Sequence, residues 1–183
     1  MRAVLYFFGR LTDLDIKWLV SNGRALSYDE GDTLVTAGEP IADLGFLMEG
    51  ELSIVAGGSS GKEFNRMYAG EILGEVSFLD SRPPSATVLA LTAAKILAID
   101  RREMEAKLAR DPEFAARFFR GIGVLMANRL RDMIGHLDEA DENNIFFQEV
   151  AEEIDPELLD VVNLAGRRFD LMLELSRERL SEV

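Results

Sequence analysis

The chain contains no cysteine and only one histidine, His136, among its 183 residues. Without cysteine it can form no disulfide, no thiol nucleophile and no thiolate metal site. One histidine does not supply the set of imidazole ligands that the metal centre of a jelly-roll enzyme needs. We therefore predict no catalytic residues and no metal site, and hence a protein that is not an enzyme.

Long apolar runs are also absent. The run over residues 3–8 is too short for a secretory signal, and the run over 88–99 is interrupted by Lys95. The 48% apolar and 29% charged residues are typical of a globular protein with one sizeable core. We predict a cytoplasmic protein that makes no membrane contact.

Positive charge is scarce near the C-terminus. Residues 138–183 carry fourteen acids and four arginines, and so hold −10 of the net charge of −13. Nucleic acids are bound through lysine and arginine, so we predict no nucleic-acid partner. We interpret residues 138–183 as an acidic helical extension with an unidentified protein partner, and residues 1–137 as the main domain.

Short apolar runs alternate with turns rich in glycine and proline between residues 23 and 101. Many short strands at this spacing are typical of an antiparallel β-sandwich, roll or barrel. The predicted strands are residues 33–35, 44–48, 51–55, 64–68, 87–91 and 95–99.

Helical signals flank these strands. Thr12 is a predicted N-cap within an N-terminal helical region over residues 4–22, with Leu14, Trp18 and Leu19 on one face. A short helix is expected after Arg101, and two further helices are expected beyond residue 144. The last of these begins at Asp155-Pro156-Glu157, and its apolar stripe is Leu158, Val162, Ala165, Phe169 and Met172.

A long helix over residues 113–137 is the predicted seam of a homodimer. Its broad apolar stripe requires a partner, and Gly121 and Gly123 would permit close helix packing. The stripe consists of Phe119, Ile122, Met126, Met133 and Leu137. We interpret the nearby arginines as solvated helix faces: Arg101, Arg102, Arg129 and Arg131.

An ordered series of short motifs resembles the cyclic nucleotide-binding domain family of the catabolite-activator type over about residues 1–137. The motifs are Gly31-Asp32-Thr33-Leu34-Val35, Gly38-Glu39-Pro40, Leu47-Met48-Glu49-Gly50-Glu51-Leu52, Gly70-Glu71, and Gly74-Glu75 with Ser85-Ala86-Thr87. The resemblance implies an α+β fold. Its antiparallel, double-stranded jelly-roll-like β-roll would carry an N-terminal helix and the long C-terminal helix, followed here by two more helices.

The resemblance also implies a nucleotide pocket, although one position of its phosphate-binding motif departs from the family pattern. The pocket positions are Gly74, Glu75, Val76, Arg82, Ser85 and Ala86. Pro84 stands where the family has an arginine that pairs with the cyclic phosphate, and proline offers neither charge nor N–H. Arg82 is two residues away and is either a substitute or a solvated loop residue.

Two readings of function follow. In the family, polar residues near the end of the long helix contact the purine, and Met133 and Ile134 stand there. We therefore favour a non-enzymatic regulatory or scaffold module that binds cyclic nucleotide weakly or not at all and needs no cofactor. The alternative is a sensor of cAMP or cGMP that uses Glu75 and Arg82. A winged-helix DNA-binding unit is not expected in residues 144–183.

Overall fold

The structure is a computed structural model, and it describes residues 7–56, 61–138 and 156–181. The helix expected over residues 145–153 lies outside these ranges. Within them, no helix combines the length and apolar character needed to cross a bilayer.

Two four-stranded antiparallel sheets form the centre of the described structure. Their strands are β1 (Arg24–Tyr28), β2 (Thr33–Val35), β3 (Asp43–Glu49), β4 (Glu51–Ala56), β5 (Lys62–Tyr68), β6 (Ile72–Leu73), β7 (Thr87–Ala90) and β8 (Ala94–Asp100). One sheet has the order β1-β8-β3-β6 and the other β2-β7-β4-β5. All six predicted runs are strands, and the antiparallel β-roll is confirmed. Sequence analysis missed β1 and β6.

Five helices complete the described elements. They are α1 (Asp13–Asn22), α2 (Glu75–Asp80), α3 (Arg101–Arg110), α4 (Pro112–Asp138) and α5 (Pro156–Ser181). The helix α2 lies between β6 and β7, whereas α3 and α4 follow β8 directly.

The start of α1 is fixed by the predicted N-cap. The Thr12 hydroxyl accepts a hydrogen bond from the Asp15 N–H at 3.2 Å, and the Asp15 carboxylate accepts one from the Thr12 N–H at 2.7 Å. The predicted buried face is partly wrong, because Leu14 is 75% exposed. Asp15 is buried instead, since it pairs with Arg117 of α4.

Phenylalanine side chains join the N-terminal segment to the roll and to α4. The Phe7 ring lies 5.9 Å from Phe46 of β3 and 5.7 Å from Phe118 of α4. A Cβ atom on Gly121 would lie 2.6 Å from the Phe7 ring, so that glycine accommodates Phe7. Sequence analysis had assigned Gly121 to contact with a partner helix. A Cβ on Gly123, by contrast, would meet no atom within 4 Å.

The helix α5 folds back onto the same core. Ala165 and Met172 are fully buried, and the Phe169 ring lies 5.6 Å from Phe8. Arg168 donates to the carbonyls of Phe8 at 3.3 Å and Gly9 at 3.0 Å. Ala165, Phe169 and Met172, the described residues of the predicted apolar stripe, therefore form the packed face of α5. The division of the chain at residue 138 stays a prediction.

Candidate functional site

Residues 74–87, which we call the cassette, consist of Gly74, α2, a loop and the start of β7. Gly74 has φ of +84°, and a Cβ there would lie 3.1 Å from the Asp43 carbonyl, so the turn into α2 strongly favours glycine. Ser81 ends α2 at φ of +61°. The buried Thr87 hydroxyl accepts the Ala37 N–H at 3.1 Å and anchors the far end. The cassette motif therefore builds a defined backbone path.

Glu75 is 4% exposed, and its carboxylate pairs with the Arg129 guanidinium of α4. Arg129 also donates to the Ile72 carbonyl at 3.2 Å and lies 3.8 Å from the Glu71 carboxylate. The prediction that Arg129 is a solvated residue is therefore wrong. Its partner is 54 positions away in the sequence, so no local spacing could have identified the contact.

Two carboxylates share this one guanidinium. Burial raises the pKa of Glu75 above its ordinary value, and Arg129 opposes that rise without cancelling it. Burial likewise raises the pKa of Glu71, again against the field of Arg129. A ribose hydroxyl that approached Glu75 would have to share its carboxylate with Arg129.

The loop after α2 places its arginine in solvent. The Arg82 side chain is 84% exposed, and its Nε lies 3.9 Å from the Asp80 carboxylate. Pro84 is half-buried, and its carbonyl accepts the Gly38 N–H at 2.8 Å. Glu75 is the first residue of α2, whereas Arg82 lies two residues beyond its C-terminal end. The role of Arg82 in ligand binding stays a prediction.

The other predicted pocket positions differ in exposure. Val76 is 52% exposed on the outer face of α2. Ser85 is exposed, and Ala86 is half-buried. Met133 and Ile134 lie on the helical backbone of α4, but their side chains lie outside the described part of the structure. Their roles therefore stay predictions.

A second arginine, Arg101, holds the C-terminal end of α2. Its guanidinium donates to the Ser77 carbonyl at 3.0 Å, the Phe78 carbonyl at 3.2 Å and the Ser81 hydroxyl at 2.9 Å. It also lies over the Phe78 ring, 5.4 Å from the centroid. The interpretation of Arg101 as a solvated residue is wrong, whereas Arg102 and Arg131 are exposed as expected.

No metal centre is evident at or near the cassette. Among residues 7–56, 61–138 and 156–181, no group of three histidine, aspartate or glutamate side chains could hold a metal ion. The cassette region contains buried carboxylates, a short helix, and the guanidinium groups of Arg129 and Arg101, which already bind groups of this chain. These groups are suited to positioning a polar ligand or the helix itself.

The roll, the short helix between β6 and β7, and the helices after β8 are the fold found in cyclic nucleotide-binding domains. Residues 25–111 match the family described as the cyclic nucleotide-binding domain. The resemblance inferred from the sequence motifs is confirmed.

A Rhodopseudomonas palustris protein named as a potassium channel protein is 27% identical over 148 residues, which cover 79% of this chain and 36% of the relative. The chain thus spans about a third of that protein.

Solved structures extend the comparison. The N-terminal domain of a Streptomyces coelicolor transcriptional regulator is 29% identical, with a TM-score of 0.57 and coverage of 71% of this chain and 94% of that domain. A cyclic nucleotide-binding domain from Methylobacillus flagellatus shares the fold at a TM-score of 0.68 and 19% identity. That match covers 81% of this chain and 85% of the other.

Proposed function

We propose that this protein is a non-enzymatic regulatory or scaffold module whose cassette binds cyclic nucleotide weakly or not at all. The observation that carries the proposal is the cassette's charge arrangement. Glu75 is engaged by Arg129 from within the chain, Pro84 occupies the arginine position, and Arg82 extends into solvent. A cyclic phosphate would find no guanidinium directed at it from the loop. The relatives' names, a channel protein and a transcriptional regulator, support a regulatory role.

A specific observation favours a second candidate, a working sensor of cAMP or cGMP. The left-handed Gly74 and the anchored Thr87 preserve the backbone path of a ligand-binding cassette. In this reading Arg82 would leave Asp80 and turn toward the phosphate. A hydrogen bond to a charged group contributes about 1.5–3 kcal/mol, so loss of the family arginine should weaken binding on the order of ten- to a hundredfold.

Titration calorimetry of the full chain with cAMP and cGMP separates the two candidates. We expect no measurable heat at ligand concentrations where a sensor saturates. Tight, stoichiometric heat would refute the proposed module and support the sensor.

A Pro84→Arg variant tests whether the rest of the pocket is intact. If it is, the variant should bind cyclic nucleotide more tightly than the parent chain. Pro83→Arg is the matched control, because neighbouring residues of an extended chain point to opposite sides. Equal affinities for the two variants would mean that an arginine at residue 84 does not reach the ligand.

We further propose that α4 forms the seam of a homodimer. Phe119 is 47% exposed and Leu130 is 59% exposed, and Ala116 and Gly123 are exposed on the same side. The spacings of three, four and seven residues among these positions are those of a coiled-coil seam. Ile122, which sequence analysis placed in the stripe, is 1% exposed in the chain's own core and faces away.

Light scattering tests this seam. Leu130→Glu places a charge in the proposed interface, and we expect the dimer to dissociate to a monomer. Leu14→Glu is the matched control, because Leu14 is a 75% exposed leucine on α1, outside the proposed seam. A parent chain that is monomeric at high concentration would refute the proposal.

We also propose a cytoplasmic protein that binds neither nucleic acid nor membrane. The excess of acidic residues over residues 138–183 supports this, because polyanions repel such a segment. A gel shift with duplex DNA at low salt should show no complex. An unidentified protein partner remains our proposal for the acidic segment.

A further inference from the structure

We infer that Arg101 is an internal clamp that fixes the cassette helix α2 without any ligand. This inference rests on the proposed function, because it names the residue that would make the cassette independent of cyclic nucleotide. Its argument begins with the C-terminal end of α2, where the helix carbonyls have no partners within the helix.

The guanidinium supplies hydrogen-bond donors to part of this end. It donates to the Ser77 and Phe78 carbonyls and to the Ser81 hydroxyl, at 2.9–3.2 Å. A positive charge at a helix C-terminus also interacts favourably with the helix dipole. The same contacts hold Ser81 where the chain turns through its left-handed conformation. Arg101 therefore fixes both the last turn of α2 and the first residue of the loop.

The backbone and the guanidinium of Arg101 are themselves held by hydrogen bonds. The Arg101 N–H donates to the Ala42 carbonyl at 2.9 Å, at the junction of β8 and α3. Its Nε donates to the Glu105 carboxylate at 2.8 Å, which orients the guanidinium plane. That plane lies over the Phe78 ring, which in turn lies 5.8 Å from Phe118 of α4. Contacts with α3 and α4 thus limit movement of the helix end.

The opposite end of α2 is held from a different helix. Glu75, the first residue of α2, pairs with Arg129 of α4. Two arginines of this chain thus hold the two ends of a helix only six residues long. A ligand is not needed to order a helix that is held in this way.

Amide hydrogen exchange tests the clamp in the full-length protein. In Arg101→Gln the amides of Phe78 and Ser81, which bond to Gly74 and Ser77, should exchange about ten- to a hundredfold faster. Arg101→Lys should give an intermediate rate, because lysine keeps the charge but not the forked geometry. Arg102→Gln, the neighbouring exposed arginine, is the matched control and should leave both rates unchanged.

The paired strands β3 and β8 provide an internal reference. If Arg101→Gln accelerates exchange equally at Phe46 and Leu97, Arg101 supports the whole fold and the clamp inference is wrong. Unchanged exchange in α2 would also overturn it. Calorimetry with cAMP remains a separate test, since tight binding by the parent chain would refute the proposed function while the exchange result still decides the clamp.

Discussion

Two arginines of α4 form ion pairs with other elements, Arg117 with Asp15 and Arg129 with Glu75, and the chemistry of these pairs differs although both carboxylates are shielded from solvent. The Asp15 side chain is 4% exposed and pairs with Arg117, whereas the Glu75 side chain is 5% exposed and pairs with Arg129. The two arginines are separated by about 18 Å along the helix at 1.5 Å per residue. The two carboxylates thus have nearly equal solvent exposure, but Glu75 lies deeper within the protein than Asp15 does.

Depth of burial and the number of hydrogen-bond donors together explain the opposite pKa shifts of the two carboxylates. Burial raises the pKa of Asp15, but hydrogen bonds from Arg117 at 2.8 and 2.9 Å and from Thr12 outweigh burial and hold this pKa below its ordinary value. At Glu75 the deeper burial prevails over the charge and the hydrogen bond of Arg129, which also lies 3.8 Å from the Glu71 carboxylate. The Asp15 carboxylate thus has hydrogen-bond donors on both oxygen atoms and forms a structural contact. In the cassette, by contrast, two carboxylates, Glu71 and Glu75, face the single guanidinium of Arg129.

The largest expected effect comes from breaking the ion pair of Asp15 and Arg117. Asp15→Asn should lower the free energy of unfolding by about 3 kcal/mol, because Arg117 loses its buried carboxylate and keeps only the exposed Glu113 at 3.8 Å. Urea denaturation measures this change. Asp13→Asn is the control: Asp13 is 69% exposed, pairs with Arg168 at 3.3 Å, and should cost less than about 1 kcal/mol. Equal losses in the two variants would contradict the comparison.

Breaking the cassette pair should have a smaller effect. Glu75→Gln should lower the free energy of unfolding by about 1 kcal/mol, because the lost attraction is offset by relief of a desolvated charge. Arg129 would keep the Ile72 carbonyl and Glu71 as neighbours. A loss as large as that of Asp15→Asn, measured in the same urea experiment, would show that the pairs are equivalent.

The pH dependence should sharpen the comparison through opposite slopes. The raised pKa of Glu75 gives a stability contribution that is present below the ordinary value of 4.5 and is lost as pH rises through the folded pKa. The lowered pKa of Asp15 gives one that is present above 3.8 and is lost as pH falls through the folded pKa.

As the pH is lowered through the folded pKa of Glu75, the unfolding free energy of the parent chain should therefore increase relative to that of Glu75→Gln. At lower pH, as Asp15 becomes protonated, the unfolding free energy of the parent chain should decrease relative to that of Asp15→Asn. Using differences between variants removes the general effect of the net charge of −13. Parallel slopes for the two differences would refute the assignment of opposite pKa shifts.

Features encoded by neighbouring residues could be predicted from the sequence. Thr12 and Asp15 are three positions apart, so the N-cap of α1 was visible, and short apolar runs separated by turns revealed six strands. The strand β1 was missed because it is largely exposed, and β6 because it has two residues. The cassette motif likewise predicted the path from Gly74 to Thr87.

The contacts that decide the chemistry of the site could not be predicted in this way. Arg129 reaches Glu75 across 54 residues, and Arg101 reaches Ser77 across 24. The sequence around each arginine resembles an ordinary solvated helix. Only the packing of α3 and α4 against α2 determines which arginine side chains turn inward.

The contact between Arg168 and Phe8 has a consequence for the order of folding. It joins residues 160 positions apart, so docking of α5 closes most of the chain into a loop, and such contacts form slowly. The hairpin of β4 and β5 can form locally long before this. During synthesis, one side of Phe8 stays uncovered until α5 has emerged from the ribosome, so a residue of the core waits for a helix made about 160 residues later.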